Sequence, residues 1–573
     1  MGQDSNVRGE GRRRRTPAAQ ELGWDDSLYD GDGERRDGQA GTAEAASAAG
    51  AAGPGADSAS RPGPGSRRAG RRRRAAKKKR SKGVRILKWT ALGLAVLILG
   101  AAGAGYLYYL HLNANIKKDD LNLGTKRLDK AAPNADGQTP LNILLLGSDS
   151  RNSKANLKLG GARQTVGDKP RADVQMLLHV SADRSNMSVI TIPRDTRVKI
   201  PECKDKDGTD YPETTREIIN ASMQHGGPGC TVATWEELTG IPIDHFMKIE
   251  FSGVVDMADA VGGVPVCVKD NVYDKGSGLR LHEGETYVEG QQALQWLRTR
   301  HGFLGQSDIA RARAQHMYMG AMVRQLKSGA KLTDPGKLMD LAEAATSALT
   351  VDPGLGTVKK LYDLGNTLKK VPTKRITMTT MPWLQDPQAP DAHVVPAPDA
   401  EKLFSLVRND IALDGKDFGK KKPKKATPPP AGPKDQIAVT VQNGTSTISL
   451  AAVPQRARVI AGELTRQGFT KAVSDTTPKS QADTTITYPK KGMQGDALAV
   501  AKALGLPASA VRMSTSVPQV TLIIGSDWRE GTVYPKTAHR DGKSEADNKA
   551  PESADVLSGD KKDCMPIDPG HRF

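Results

Sequence analysis

The chain has 573 residues, 83 of them Lys or Arg against 65 Asp or Glu, for a formal net charge of +18, and only 4% are aromatic. That length implies more than one folded unit. The basic excess suggests a nucleic-acid partner, but residues 1–88 alone hold 21 Lys and Arg against 11 Asp and Glu. With no aromatics interleaved and no binding fold beside it, this run is read as binding no nucleic acid.

Residues 1–83 are rich in Gly, Ala, Arg, Ser and Asp. They cannot bury enough apolar surface to offset the entropy of ordering, so a disordered basic cytoplasmic tail is expected. Residues 86–112 follow as a transmembrane helix: Trp89–Leu110 is a run of 22 residues without a charge, enough at 1.5 Å per residue to cross a hydrocarbon core of roughly 30 Å. The span lies too deep in the sequence for a cleaved signal peptide. Lys and Arg crowd its N-terminal flank, which predicts a single-pass protein of the cell membrane with a cytoplasmic N-terminus and everything after the span extracytoplasmic.

Beyond the span, composition divides the chain into a large domain at 121–410 with its core at 141–327, a Lys/Pro-rich linker at 411–436, a small domain at 437–530 and a disordered tail at 531–573. Four cysteines are compatible with an oxidising compartment. Cys203 and Cys230 flank a polar excursion and are the favoured disulfide. Cys267 reads as a buried free thiol after a strand, and Cys564 falls in the tail. With no Cys-x-x-Cys pair or His cluster, no structural metal site is expected.

Leu141–Leu146, Val174–Val180 and Met187–Ile192 read as buried strands alternating with helical patterns. The fold class is therefore α/β, a mixed central sheet with helices on both faces, followed by a small α+β domain. Ligands of such sheets bind beyond the strand ends. Four arginine-bearing segments stand there: Gly147-Ser-Asp-Ser-Arg151, Ile192-Pro-Arg-Asp-Thr196, Arg298-Thr-Arg300 and Ser307-Asp-Ile-Ala-Arg311. Asp149 and Asp173 could face one another if their strands are neighbours, supplying hard oxygen ligands for Mg²⁺, with Mn²⁺ the alternative. Arg194 projects from a rigid Pro-led turn and suits bidentate phosphate contact. Arg298 and Arg300 can converge only if the backbone leaves the helix between them. On the next helix Asp308, Arg311 and Gln315 share a face. Each segment alone is as consistent with a solvated charged surface; it is their coincidence that points to a pyrophosphate site.

The blocks Asn142–Arg151, Arg171-Ala-Asp173, Ile190–Thr196, Ile219-Asn-Ala221, Leu238–His245, Val261–Val264, Gly290–Leu294, Arg298–His301 and Ser307–Arg311, in this order, resemble the LytR-CpsA-Psr family of cell-envelope proteins. The small domain, opening with Val439–Gly444 and closing with Val520–Asp527, resembles the C-terminal domain often appended to them.

The resemblance implies an enzyme, an Mg²⁺-dependent phosphotransferase moving a glycopolymer from a polyprenyl-pyrophosphate carrier to nascent peptidoglycan. Teichoic-type and arabinogalactan-like polymers are both candidates. It further implies that Asp149 and Asp173 hold the metal, that Arg194, Arg298, Arg300, Arg311 and Gln315 bind the pyrophosphate, and that Arg194, Asp308 and Arg311 serve catalysis, with the general base left open. It also implies a lipid pocket, which apolar periodicity at Leu332–Leu349 and Val358–Leu368 permits. One departure is Ala314, where the family pattern has a second arginine; Arg313 lies about 100° away around the helix. The rival readings are a non-catalytic regulator or binder of lipid-linked intermediates, and a hydrolase of the carrier pyrophosphate.

Overall fold

The computed structural model describes residues 82–125, 127–130, 133, 137–148, 159, 169–305, 307–327, 335–416, 429–446, 450–514, 517–535 and 549–573. The expected cytoplasmic tail therefore lies outside the described residues, apart from the start of the first helix. That helix, α1 (Lys82–Asn115), contains the predicted span, and its stretch Ile86–Asn115 is long and apolar enough to cross a membrane. It leads directly into a short edge strand, β1 (Lys117–Lys118).

Residues expected to be strands become the middle of an eight-stranded mixed sheet. Its strands include β2 (Leu141–Ser148), β3 (Ala172–Val180), β4 (Met187–Thr191), β5 (His245–Glu250), β6 (Leu349–Val351) and β7 (Ile376–Thr380), in the order β1-β6-β5-β2-β3-β4-β7, and Val556–Ser558 closes the far edge. The apolar run in β2 is continuous, not alternating, because both faces are covered. Leu144 and Leu146 pack with Trp235 and Phe246 on one side, while Ile143 packs with Met176, Leu178 and Met378 on the other. The helices α2 (Pro228–Thr239) and α8 (Ala400–Arg408) contribute to the first side. On the second, α5 (Ser307–Lys327) and α7 (Val358–Lys369) supply Met317, Val323 and Leu364. Between them in the chain lie α3 (Phe251–Ala260), α4 (Gly290–Arg298) and α6 (Pro335–Ala348).

Register fixes which end of the sheet meets α1. Lys117 pairs with Thr350, Thr350 with Lys248, and Lys248 with Leu146. The residues after α1 thus join the sheet at the level of the end of β2, separated from it by two strands, at the end of the sheet where the arginine segments gather. The last turns of α1 are held on α6, with His111 Nε2 2.9 Å from Glu343 and Asn115 Nδ2 donating to the same carboxylate at 3.2 Å.

The small domain is a five-stranded sheet of β8 (Val439–Asn443), β9 (Ala472–Asp475), β10 (Thr485–Tyr488), β11 (Val511–Met513) and β12 (Val520–Ile524), in the order β9-β8-β12-β10-β11. Its helices α9 (Arg456–Arg466) and α10 (Gln494–Leu504) bury one face of the sheet. The linker expectation needs trimming, since Ala412 and Leu413 are buried and Gly432 N donates to Asp496 at 2.8 Å, leaving 417–428 outside the described residues.

Two expectations are corrected. Residues 549–573 are not a structureless tail: β13 (Val556–Ser558) pairs with β7, Arg313 holds Asp555, and Met565 and Ile567 are buried in a core cluster with Trp296 and Phe303. Cys267 is not a free thiol, because it is bonded to Cys564 across a sequence separation of 297. Both errors share a cause, since a polar segment docked by a strand, ion pairs and a disulfide leaves no local periodicity. The Cys203–Cys230 disulfide is present as expected.

Candidate functional site

A cavity of about 640 Å³ opens at the end of β2 and the start of β3, lined by Asp173, Arg194, Arg298, Arg300, Arg311 and Gln315 among others. Six residues singled out from separate segments of the sequence therefore meet. Asp149 and Arg151 lie outside the described residues, but β2 and β3 are antiparallel neighbours, with Ser148 paired to Ala172. Gly147 permits that approach, because a Cβ there would sit 2.8 Å from the Cβ of Val174.

Each guanidinium is delivered by a different backbone device. Arg194 sits in the turn after β4, where Thr196 N donates to the Pro193 carbonyl at 3.0 Å and Asn220 N to that of Arg194 at 3.2 Å. Its Nη1 donates to Asp173 Oδ1 at 2.8 Å, and Nε lies 3.3 Å from Asp195 and 3.5 Å from Asp308. Burial works against the charge, but Asp173, Asp195 and Asp308 outweigh it, so Arg194 is held charged even more firmly than an ordinary arginine.

Arg298 ends α4, and Thr299 turns extended at φ −61°, ψ 128°, which lets Arg298 and Arg300 line one cavity as the sequence required. Arg298 donates to the Leu159 carbonyl at 3.1 Å and lies 4.8 Å from the ring centre of Phe251. The loop after it is built on Asp274, whose Oδ2 accepts from the backbone N–H groups of Arg300, His301 and Gly302 at 3.2–3.3 Å. Burial pushes the Asp274 carboxyl up, but these donors and those of Gly276 and Ser277 prevail and hold it below the usual carboxylate range.

Arg311 is buried and forms an ion pair with Asp308, one helical turn earlier. Arg300 differs from Arg194 and Arg311, which pair with Asp173 and Asp308, since among the described residues no carboxylate lies within ion-pair distance of it. Burial, and then the neighbouring Arg311 and Arg194, push its pKa down against Asp173 and Asp308. Neighbouring guanidinium groups on one cavity are an arrangement that favours an anionic ligand.

Gln315 lines the cavity, yet its Nε2 donates to the Leu297 carbonyl at 3.2 Å. It thus also holds the end of α4 that carries Arg298. Arg313 points away to Asp555, and Ala314 is fully buried with its carbonyl accepting from Trp296 Nε1 at 3.0 Å. The missing family arginine therefore falls in core packing, outside the cavity lining. The apolar wall comes from Ile249, Phe251, Val254, Leu294 and Leu297 on β5, α3 and α4; residues 335–349 and 358–368, whose periodicity permitted a lining role but read more simply as core, do not line it.

The sequence reading assigned no role to Ser148, Asn220 or Asp274. Ser148 Oγ and Asn220 Oδ1 are buried in the cavity wall without a hydrogen-bond partner among the described residues. Asn220 stands in the Ile219-Asn-Ala221 block, which was a usable signal. Asp274 acts on residues 26–28 positions later and left no local pattern. For a divalent cation, Asp173 offers a part-exposed carboxylate with one oxygen on Arg194. The donor chemistry fits, although among the described residues no three acidic, His or Cys side chains form a metal-holding group.

With this geometry in place, comparison with known proteins decides the family. The sequence profile described as the LytR_cpsA_psr family matches residues 106–408, more than half the chain. The chain belongs to the LytR-CpsA-Psr family. A second profile, described as the LytR cell envelope-related transcriptional attenuator, matches residues 436–528. Among family members, the cell wall biosynthesis protein LcpA of Corynebacterium glutamicum is 30% identical over 309 residues, covering 50% of this chain and 58% of that one. The probable cell wall biosynthesis protein LcpB of the same organism is 33% identical over 215 residues, covering 37% and 48%. TagV of Bacillus subtilis, named a polyisoprenyl-teichoic acid–peptidoglycan teichoic acid transferase, is 29% identical over 302 residues, covering 51% and 71%. The match thus spans about half the length of the two Corynebacterium relatives.

Proposed function

We propose that this family member is a membrane-anchored phosphotransferase that moves a glycopolymer from a polyprenyl-pyrophosphate carrier onto peptidoglycan. The observation that carries this reading is the convergence of Arg194, Arg298, Arg300 and Arg311, from three separate segments, on one cavity. The names of the relatives, TagV above all, support the substrate class. Its apolar wall suits the first isoprene units, and α1 joins the sheet at the cavity's end, which supports a lipid-borne substrate. The basic flank before α1 supports a cytoplasmic N-terminus with the catalytic domain outside.

In this reading Arg194, Arg298, Arg300 and Arg311 clamp the pyrophosphate oxygens and spread the charge that builds on them. The acceptor hydroxyl attacks the sugar-side phosphorus and forms a new P–O bond, the bond from that phosphorus to the bridging oxygen breaks, and polyprenyl phosphate departs carrying that oxygen while a carboxylate takes the hydroxyl proton. Asp308 is committed to Arg194 and Arg311 through the same oxygen, so we assign it to positioning those two groups. Asp173, with Asp149, would hold Mg²⁺, which when bound neutralises phosphate oxygens.

The test supplies the full chain in lipid nanodiscs with a polyprenyl-pyrophosphate glycan, Mg²⁺ and uncrosslinked peptidoglycan. Glycan transfer that Arg194→Ala abolishes is the expected result. Lipid-linked glycan that binds but never turns over overturns it in favour of a binding protein, and release of free glycan phosphate identifies a hydrolase. EDTA should stop transfer without changing the far-ultraviolet dichroism; metal-independent transfer removes the role given to Asp173.

A further inference from the structure

A second large cavity, about 880 Å³, lies between the two domains and plays no part in the chemistry above. One wall is the helix-free face of the small domain's sheet. Along β8, β10 and β12 the residues facing inward, Val439, Val441, Ile486, Val520 and Leu522, form that domain's core. The alternate residues Thr440, Gln442, Thr485, Thr487 and Thr521 line the cavity instead. A solvated sheet face is the ordinary setting for such residues, but here Thr487 and Thr521 are only 5% and 3% exposed.

The opposite wall is the large domain, at Pro140 before β2 and at Ala182 and Asp183 after β3. The two walls are held at fixed separation. Buried Arg408 of α8 donates to Asp483 of the small domain at 3.1 Å and to the Thr239 carbonyl at 2.7 Å, and Ser480 N donates to Asp129 at 3.1 Å. Gly240, at φ +64°, allows the close approach, because a Cβ there would meet that of Ala482 at 3.2 Å.

We propose that this cleft binds a hydroxyl-rich glycan strand. Its volume is in the upper part of the usual small-ligand range of about 300–1,000 Å³. The hydroxyls of Thr440 and Thr485 accept from Gln519 Nε2 at 2.7 Å and Gln481 Nε2 at 2.9 Å and keep a hydrogen to donate, which matches sugar hydroxyls and suits neither a lipid nor a simple ion. The charges are mixed, with Asp410, Asp475 and Asp483 facing Lys479, Arg408 and Arg512, so the cleft does not form an anion trap like the arginine pocket. The two sites lie at opposite ends of β2, about 23 Å apart for a strand of this length. The arginine pocket is at the end joined to α1, and the cleft is at the end remote from it. A glycan held there is gripped away from the bilayer while the pocket works beside it. The choice of probes rests on the proposed function; the chemistry of the cleft does not.

Hydrogen exchange on the full chain in lipid nanodiscs tests this, with two probes: peptide-free glycan strands of peptidoglycan, and delipidated wall polysaccharide. Slowed exchange in 484–488 and 519–524 with one of them is expected, and the effective probe identifies the source. The double variant Thr440→Val, Thr485→Val keeps strand-forming volume and removes two hydroxyls, and should weaken that binding at least about fivefold. Arg194→Ala should leave it intact. No protection there with either probe at millimolar concentration overturns the proposal, as does undiminished binding by the valine variant or loss of binding in Arg194→Ala. Failure of glycan transfer in the assay above would leave this result standing.

Discussion

Arginine is concentrated at both ends of the large domain, and the two groups are organised in opposite ways. At the seam with the small domain, Arg408 is enclosed by Asp483, Glu401 and the Thr239 carbonyl. Burial opposes its charge, but the two carboxylates more than offset this and raise its pKa above the ordinary arginine value. At the other end burial, and then the neighbouring Arg311 and Arg194, push the pKa of Arg300 down. An arginine whose donors are saturated joins two surfaces; one kept short of carboxylates is available to a ligand.

Charge removal should therefore act on different observables at the two ends. The largest effect is expected for Arg194→Ala and Arg300→Ala, each lowering kcat/KM for glycan transfer by about 10²–10³-fold with little change in thermal unfolding. Arg300→Lys, which keeps charge but loses the planar fork, should recover only part of the rate. Equal activity of Arg300→Ala and the parent would break the contrast. Arg408→Ala leaves Asp483 unpaired in a mostly buried setting and should cost about 3 kcal/mol of stability in denaturant unfolding. It should leave transfer per folded molecule unaffected.

A pH experiment sharpens the seam side further. Glu236, on α2 just before Thr239, accepts from Ile243 N at 2.9 Å and Asn122 Nδ2 at 2.9 Å. Burial nevertheless raises its pKa from 4.5 to about 7. The folded protein then holds this proton to higher pH than the unfolded chain does. Stability should fall as pH rises from about 4.5 to 7, by about 3 kcal/mol in all, and the fall should be flattened in Glu236→Gln. A pH-independent difference between parent and variant would show that burial does not govern this carboxyl. The smallest effect is expected from Cys564→Ser, about 2 kcal/mol, seen as faster proteolytic trimming of 549–573.

Much of the pocket was legible because each arginine is delivered by a local signal: a Pro-led turn for Arg194, a helix end for Arg298, an i, i+3 pair for Asp308 and Arg311. Even the break in the helix at Thr299 could be required in advance. The device that shapes the following loop could not, since Asp274 reaches it across a hairpin. The same holds for the docking of 549–573 and for the cleft, whose threonines alternate in three strands like those of any solvated sheet. Those features depend on what lies opposite, and no single segment records that.

The Cys267–Cys564 bond also imposes an order of events. In a chain emerging residue by residue into an oxidising space, Cys203 meets Cys230 after 27 residues, and that loop can close early. Cys267 must then wait, reduced and without its partner, until 297 more residues have appeared. Any earlier coupling to Cys203 or Cys230 is an error that needs reshuffling. Undoing such a pair takes thiol–disulfide exchange, which an oxidant alone does not supply.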